Sequence, residues 1–143
     1  MKVEFEKMIL SPHRALAFKA FVESELYHSC PDFKEAKETL LKLGEFPLEK
    51  MTITQAWILF AYYERLSIPQ LRKVLKNWKS SNDQISTILT GYQTLLARLE
   101  KEWDAFLAYE CPEVLAIEVE QLLPGIGHSE QLVELEEVYR QLP

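Results

Sequence analysis

Four basic residues close together in the middle of the chain are the side chains best suited to bind an anion. They are Arg72, Lys73, Lys76 and Lys79, with Trp78 and Asn82 beside them, and we call the four cations the basic cluster. Residues three and four apart share a helix face, so Arg72, Lys76 and Lys79 are predicted to point the same way. Free backbone N–H groups at the start of the next helix would add attraction for a phosphate.

The basic cluster is notable because the rest of the chain is acidic. The 143-residue sequence carries a formal net charge of −6. Residues 65–98 contain six basic residues and one acidic residue, whereas residues 100–143 contain two basic and eleven acidic residues. A local positive charge in an acidic chain indicates an anionic partner at that place. The alternative is a solvated basic face, with Trp78 packed in the core instead of offered for base stacking.

Composition narrows the class of protein. Hydrophobic residues at 48% and charged residues at 27% are typical of a globular domain that can build a core. Cys30 and Cys111 have no partner at metal-binding spacing, so we expect two reduced thiols, with a disulfide between them as the alternative. No apolar run reaches the roughly 20 residues that cross a bilayer, and the first residues lack the core of a signal peptide. We therefore expect a cytoplasmic protein that does not bind a membrane.

Three capping-box patterns predict helix starts in the middle of the chain. In this pattern a Ser or Thr and a Gln three residues later satisfy two backbone N–H groups that the helix leaves unpaired. The patterns are Thr52-x-x-Gln55, Ser67-x-x-Gln70 and Ser81-x-x-Gln84. The second begins the helix that carries the basic cluster, and the third begins a longer helix.

Other signals divide the rest of the chain into further helices. Gly44 is expected to end a helix over residues 34–43, and the helix after Ser81 is expected to continue through Gly91 at a cost of about 1 kcal/mol. An apolar face is predicted from helical spacing for Leu16, Ala17, Ala20, Phe21 and Ser24. More helices are predicted over residues 103–109, 112–123 and 129–142. The predicted fold class is all-α, an irregular helical bundle of about eight or nine helices.

The sequence contains no recognised catalytic motif. It lacks a Gly-rich phosphate loop, a His-Glu-x-x-His metal motif and a Gly-x-Ser-x-Gly nucleophile turn. His13, His28 and His128 lie far apart, and acidic pairs spaced by two point away from each other on a helix. We therefore expect no catalytic residue and no metal ligand in this chain, and the scattered polar groups disfavour an enzyme with an unrecognised site.

Several stretches keep an order of residues that belongs to a known family. Around the basic cluster they are Phe46-Pro-Leu-Glu-Lys50, Ala56-Trp-Ile-Leu59, Leu66-Ser-Ile-Pro69 and Leu75-Lys-Asn-Trp-Lys-Ser-Ser-Asn-Asp-Gln-Ile85. In this order they resemble the body region of bacterial class II CCA-adding tRNA nucleotidyltransferases. Val3-Glu-Phe-Glu-Lys-Met-Ile-Leu10 is similar to the segment after the family's neck, and Val138-Tyr-Arg-Gln-Leu-Pro143 to the approach to its tail. The resemblance covers most of this chain but only part of the family's length.

The resemblance implies a part of an enzyme. The family's catalytic head with its Asp-x-Asp metal pair, its neck template for CTP and ATP, and the end of its tail have no counterpart here. Residues 1–143 would form the body and pre-tail helical domain, with residues 1–64 and 65–143 as candidate sub-units. By resemblance, the intact enzyme adds C, C and A to the tRNA 3′ end with Mg²⁺, CTP and ATP. No cofactor is expected in this segment itself.

The resemblance and the basic cluster together predict a non-catalytic domain that binds tRNA. Such a domain holds the acceptor and T arm by the backbone, which needs phosphate contacts and no base reading. The RNA-binding residues expected are Arg72, Lys73, Lys76, Trp78, Lys79 and Asn82. The alternative is a helical protein–protein interaction module without RNA binding, which would expose an apolar patch. We also expect the isolated segment to be capable of forming a homodimer.

Overall fold

A computed structural model describes residues 2–99 and 111–126 of the chain. Its α-helices are α1 (Lys2–Leu10), α2 (Arg14–Glu23), α3 (Lys37–Glu45), α4 (Ile53–Glu64), α5 (Ile68–Asn77), α6 (Asn82–Leu99) and α7 (Glu113–Glu120). Short 3-10 helices occupy Leu26–Ser29, Pro31–Phe33 and Pro124–Ile126. No described residue lies in a strand, which confirms the all-α class. These seven α-helices are fewer than the predicted eight or nine, and the helices predicted over 103–109 and 129–142 lie outside the described residues.

Five aromatic rings form the centre of the largest group of buried side chains. This aromatic cluster consists of Phe5, Phe33, Trp57, Phe60 and Trp78. The centroid of the Trp78 ring lies 4.9 Å from that of Phe33 and 5.5 Å from that of Phe5. Tilted and edge-to-face contacts of this kind are the arrangements that aromatic pairs prefer. Because the five rings come from α1, the second 3-10 helix, α4 and the end of α5, they hold these elements together.

The capping boxes predicted for α4 and α5 are confirmed, and each contains both of its reciprocal hydrogen bonds. In α4, the N–H of Gln55 donates to Oγ1 of Thr52, and the N–H of Thr52 donates to Oε1 of Gln55. Ser67 and Gln70 form the same pair of hydrogen bonds at the start of α5. Each box pairs two backbone donors that a helix N-terminus otherwise leaves unsatisfied. Local sequence signals therefore place the start of the helix that carries the basic cluster.

Two buried polar contacts attach α7 to the earlier helices. Nε2 of the fully buried Gln55 donates to the carbonyl of Glu118 and to Oε1 of Gln121, both at 2.9 Å. In the second contact, Nη2 of Arg98 on α6 lies 3.0 Å from Oε2 of Glu120 on α7. Both members of this salt bridge are buried. Breaking such a pair strands a charge in the core, so the contact fixes α7 against α6.

The two glycines inside the described α-helices mark places where helices pack closely. Gly44 lies within α3, so the helix end predicted at this position is wrong. A Cβ atom on Gly44 would lie 2.7 Å from Cβ of Phe18 on α2, closer than such atoms can approach. As predicted, α6 continues through Gly91, where a Cβ would lie 2.5 Å from Cδ1 of Ile58 on α4. Contacts between helices therefore explain both glycines.

The buried face of α2 differs from the predicted one. Leu16 is 68% exposed, whereas Phe18, Phe21 and Val22 are buried. Arg14 also lies inside, at 6% exposure. The predicted apolar face, which includes Leu16, is therefore wrong: the helix is rotated so that an arginine faces the protein interior.

Arg14 is buried because it pairs with backbone carbonyls at the end of α3. Its Nε donates to the carbonyl of Leu43 at 3.0 Å, and its Nη2 donates to those of Phe46 at 2.6 Å and Leu48 at 2.7 Å. Burial lowers the pKa of Arg14, but a guanidinium remains charged at neutral pH. The side chain therefore donates to carbonyls at the end of α3 and in the segment that follows it.

We predict that Arg14→Met destabilises the chain by about 3 kcal/mol, because the buried carbonyls lose their donors while side-chain volume is kept. Urea unfolding measures the change. Lys19→Met is the matched control, since Lys19 is exposed on the same helix, and it should shift stability by less than about 0.5 kcal/mol. Equal effects of the two substitutions would contradict the role given to Arg14.

Candidate nucleic-acid interface

All four cations of the basic cluster are exposed to solvent. Leu71 and Leu75 are completely buried on the inner side of α5, which leaves the charged positions of this helix on its outer side. A shallow surface concavity of about 430 Å³ is lined by Ile68, Pro69, Arg72, Lys73, Lys76 and Asn77. Arg72, Lys76 and Lys79 are exposed, as predicted. The shared helix face predicted for them does not extend to Lys79, because α5 ends at Asn77. RNA binding by these residues stays a prediction.

The cations of the basic cluster have no carboxylate partner among residues 2–99 and 111–126. Within these ranges the salt bridge of the structure is that of Arg98 with Glu120, which lies elsewhere in the fold. A charge already paired within the protein would gain little from a phosphate, since the existing partner would have to be displaced. Among the described residues, no carboxylate therefore neutralises the positive charge on the outer side of α5, which favours an anionic ligand there.

Lys79 occupies a backbone conformation that favours glycine. Its φ is 58°, in the left-handed region. The N–H of Lys79 donates to the carbonyl of Lys76 at 3.0 Å, and the N–H of Ser80 donates to that of Leu75 at 3.1 Å. This pair of hydrogen bonds is the Schellman motif that ends many helices, usually with Gly at the left-handed position. A lysine here costs roughly 1 kcal/mol and adds a cation at the end of α5.

The structure adds Lys2 to this end of α5. Its Nζ donates a hydrogen bond to the backbone carbonyl of Lys79 at 3.4 Å. A cation at the C-terminal end of a helix is favoured by the partial negative charge of the carbonyls there. The two residues are 77 positions apart, so no spacing rule within one helix reveals the contact.

Trp78 belongs to the aromatic cluster and not to the exposed surface. It is 9% exposed, and its Nε1 donates to Oδ2 of Asp32 at 3.0 Å. Base stacking needs an open ring face, and the Trp78 ring is packed against Phe5, Phe33 and Trp57. Its position favours the core alternative that the sequence left open: Trp78 anchors the end of α5.

The N-terminal end of α6 attracts an anion less strongly than the predicted free backbone N–H groups would. Asn82 is exposed at the first position of the helix. Oγ of Ser81 already accepts a hydrogen bond from the N–H of Gln84 at 3.1 Å, so part of the helix end is capped within the chain. Asp83 lies in the first turn and would repel a phosphate. The side chains of the basic cluster therefore dominate the attraction for an anion.

No metal-binding arrangement is present in the part of the chain that the structure describes. Its His, Cys, Asp and Glu side chains nowhere come together in a group of three. These residues do not fit the Mg²⁺ that the resemblance implies for the intact enzyme. Among the helices described, none combines the length and the hydrophobicity that a membrane span requires.

Comparison with known proteins identifies the class to which this helical domain belongs. Residues 48–143 match the tRNA nucleotidyltransferase domain 2 family, and the chain therefore belongs to that family. It is 32% identical over 142 residues to the CCA-adding enzyme of Enterococcus faecalis, an alignment that covers 99% of this chain and 35% of the relative. No solved structure matches the chain.

Two further relatives agree with this assignment. The CCA-adding enzyme of Latilactobacillus sakei is 28% identical over 125 residues, which are 85% of this chain and 32% of the relative. That of Bacillus cereus is 32% identical over 109 residues, or 76% of this chain and 27% of the relative. The chain thus spans about a third of the length of the curated relatives it matches. The resemblance to the body region of a bacterial CCA-adding enzyme is confirmed.

We predict that Lys79→Gly stabilises the chain by about 0.5–1 kcal/mol, because glycine adopts a positive φ without steric cost. Urea unfolding measures the change. Lys76→Gly is the control, since it places the same substitution within α5, where glycine should destabilise by about 1 kcal/mol. A loss of stability in Lys79→Gly would contradict the left-handed conformation of Lys79.

Proposed function

We propose that this domain holds tRNA by its phosphate backbone and catalyses no reaction by itself. The observation that supports this function is the exposed basic cluster on α5 and just beyond its C-terminal end, whose cations pair with no described carboxylate. Lys and Arg contacts to phosphates supply most of the sequence-independent affinity for nucleic acids. Double-stranded RNA is recognised mainly through its shape and backbone, and the chain's family is named for tRNA.

The proposed role of this domain within a larger protein is to position the substrate. The relatives are CCA-adding enzymes about three times as long as the region they share with this chain. We propose that the parent protein adds CCA to the tRNA 3′ end, and that its other parts bind Mg²⁺, CTP and ATP. The basic cluster would hold the acceptor and T arm, so that the 3′ end reaches a distant active site. Misplacement by about 1 Å can slow catalysis about 100-fold.

A helical protein–protein interaction module without RNA binding is the second candidate. Large apolar side chains that are 47% to 71% exposed support it: Val3, Leu10, Leu16, Val114 and Ile117. They are divided between the two N-terminal helices and α7. Single exposed apolar residues are common on protein surfaces, so they carry less weight than the basic cluster. The homodimer expected of the isolated segment also stays a prediction.

We predict that the double substitution Arg72→Gln with Lys76→Gln weakens tRNA binding about tenfold at low salt, because two phosphate contacts are lost. Binding of the unaltered chain is expected to be micromolar or weaker. Fluorescence anisotropy with end-labelled tRNA measures both dissociation constants. Both residues are exposed, so urea unfolding of the variant should match that of the unaltered chain within about 0.5 kcal/mol.

The matched control is Lys19→Gln with Lys37→Gln, which removes the same charge from exposed positions on α2 and α3. It should change the dissociation constant less than about twofold if binding is local to α5. Equal weakening by the two double substitutions would mean that tRNA responds to net charge alone. The basic cluster would then lose its assignment as the binding site.

A further inference from the structure

A second concave surface lies between α3, α4 and α6. Its lining residues are Lys42, Tyr62, Tyr63, Arg65, Tyr92 and Leu96, none of which belongs to the basic cluster. We call this surface the tyrosine groove. Its volume is about 460 Å³, within the roughly 300–1,000 Å³ typical of small-molecule sites.

The aromatic part of the tyrosine groove is held in place by the fold. Tyr62 and Tyr63 lie in the last turn of α4, with ring centroids 5.3 Å apart and an edge-to-face arrangement. Tyr92 is buried, and its hydroxyl donates to the carbonyl of Leu66 at 2.7 Å and to that of Ala61 at 3.3 Å. These hydrogen bonds tie α6 to the end of α4. The Tyr92 ring is therefore held in place before any ligand arrives.

Two exposed cations lie at this aromatic surface. Nζ of Lys42 is 5.0 Å from the centroid of the Tyr63 ring, a cation–π contact. Arg65 follows α4 in a left-handed conformation with a φ of 55°, and its side chain is exposed. None of the described residues that line the groove is acidic. Oε1 of the neighbouring Glu64 accepts a hydrogen bond from Thr39.

We propose that the tyrosine groove binds one unpaired nucleotide of an RNA strand. Its base packs against the half-buried rings of Tyr62 and Tyr63, and its phosphate lies near Lys42 and Arg65. Aromatic rings beside cations are the combination that binds single-stranded nucleic acids, whereas α5 presents cations without an exposed ring. The inference rests on the proposed function only for the choice of RNA as partner. It assigns a separate site with a separate ligand, because bases inside a duplex are not available for stacking.

The direct test is binding of a fluorescein-labelled five-nucleotide oligoadenylate RNA to the full chain, measured by anisotropy. Tyr62→Leu removes a ring and should weaken binding about tenfold, while Tyr62→Phe keeps the ring and should stay within about twofold. Arg65→Gly removes a cation, so it should bind the oligonucleotide more weakly. It also removes the steric strain of a positive φ, so it should unfold at a higher urea concentration. It therefore remains informative if Tyr62→Leu fails to fold.

The double substitution Arg72→Gln with Lys76→Gln separates this proposal from the proposed function. Its oligoadenylate binding should stay within about twofold of the unaltered chain, although its tRNA binding falls. Unchanged oligoadenylate binding in Arg65→Gly and in a folded Tyr62→Leu, or no binding by the unaltered chain, overturns the groove proposal and leaves the function of α5 standing. Equal loss in the α5 variant and the groove variants would assign the oligonucleotide to the basic cluster and would also overturn the proposal.

Discussion

The burial of Trp78 is the packing interaction on which the candidate interface depends. Trp78 follows the last turn of α5, its ring packs against Phe5 and Phe33, and its Nε1 donates to Asp32. An anchored end fixes the rotation of the helix about its axis, and buried Leu75 one turn earlier agrees with the same rotation. The charged positions of α5 are then left in solvent. The packing of Trp78 into the core therefore also leaves the cations of α5 exposed to solvent.

Signals within a few residues of each other predict local structure well. They fail where contacts with another helix determine which residue fits at a position. The capping boxes at Thr52 and Ser67 were predictable because all their hydrogen bonds lie within one turn. The local pattern predicts a helix end at Gly44, but α3 continues through it, and the close approach of Cβ of Phe18 on α2 explains the glycine. The apolar spacing predicts that Leu16 faces the core, but Leu16 is exposed and Arg14 faces inward, where it pairs with carbonyls of another segment.

Some features of the candidate site could likewise be predicted from local spacing, whereas others depend on packing between helices. Exposure of Arg72 and Lys76 follows from helical periodicity, since Leu71 and Leu75 must face the core. The approach of Lys2 to the end of α5 depends on how α1 packs, and one sequence cannot show it. The tyrosine groove is assembled from three helices, so its cations and rings have no common spacing along the chain. Spacing predicts which residues share one helix face, and packing decides which faces meet.

The salt dependence of tRNA binding is the most direct test of a phosphate contact made by the basic cluster. Each cation that neutralises a phosphate of a duplex changes the slope of log Kd against log salt by about 0.9. Four cations should therefore give a slope of about three to four, and the Arg72→Gln with Lys76→Gln chain a slope lower by about two. A dissociation constant that does not change with salt, or a slope that the substitutions leave unchanged, would contradict the account.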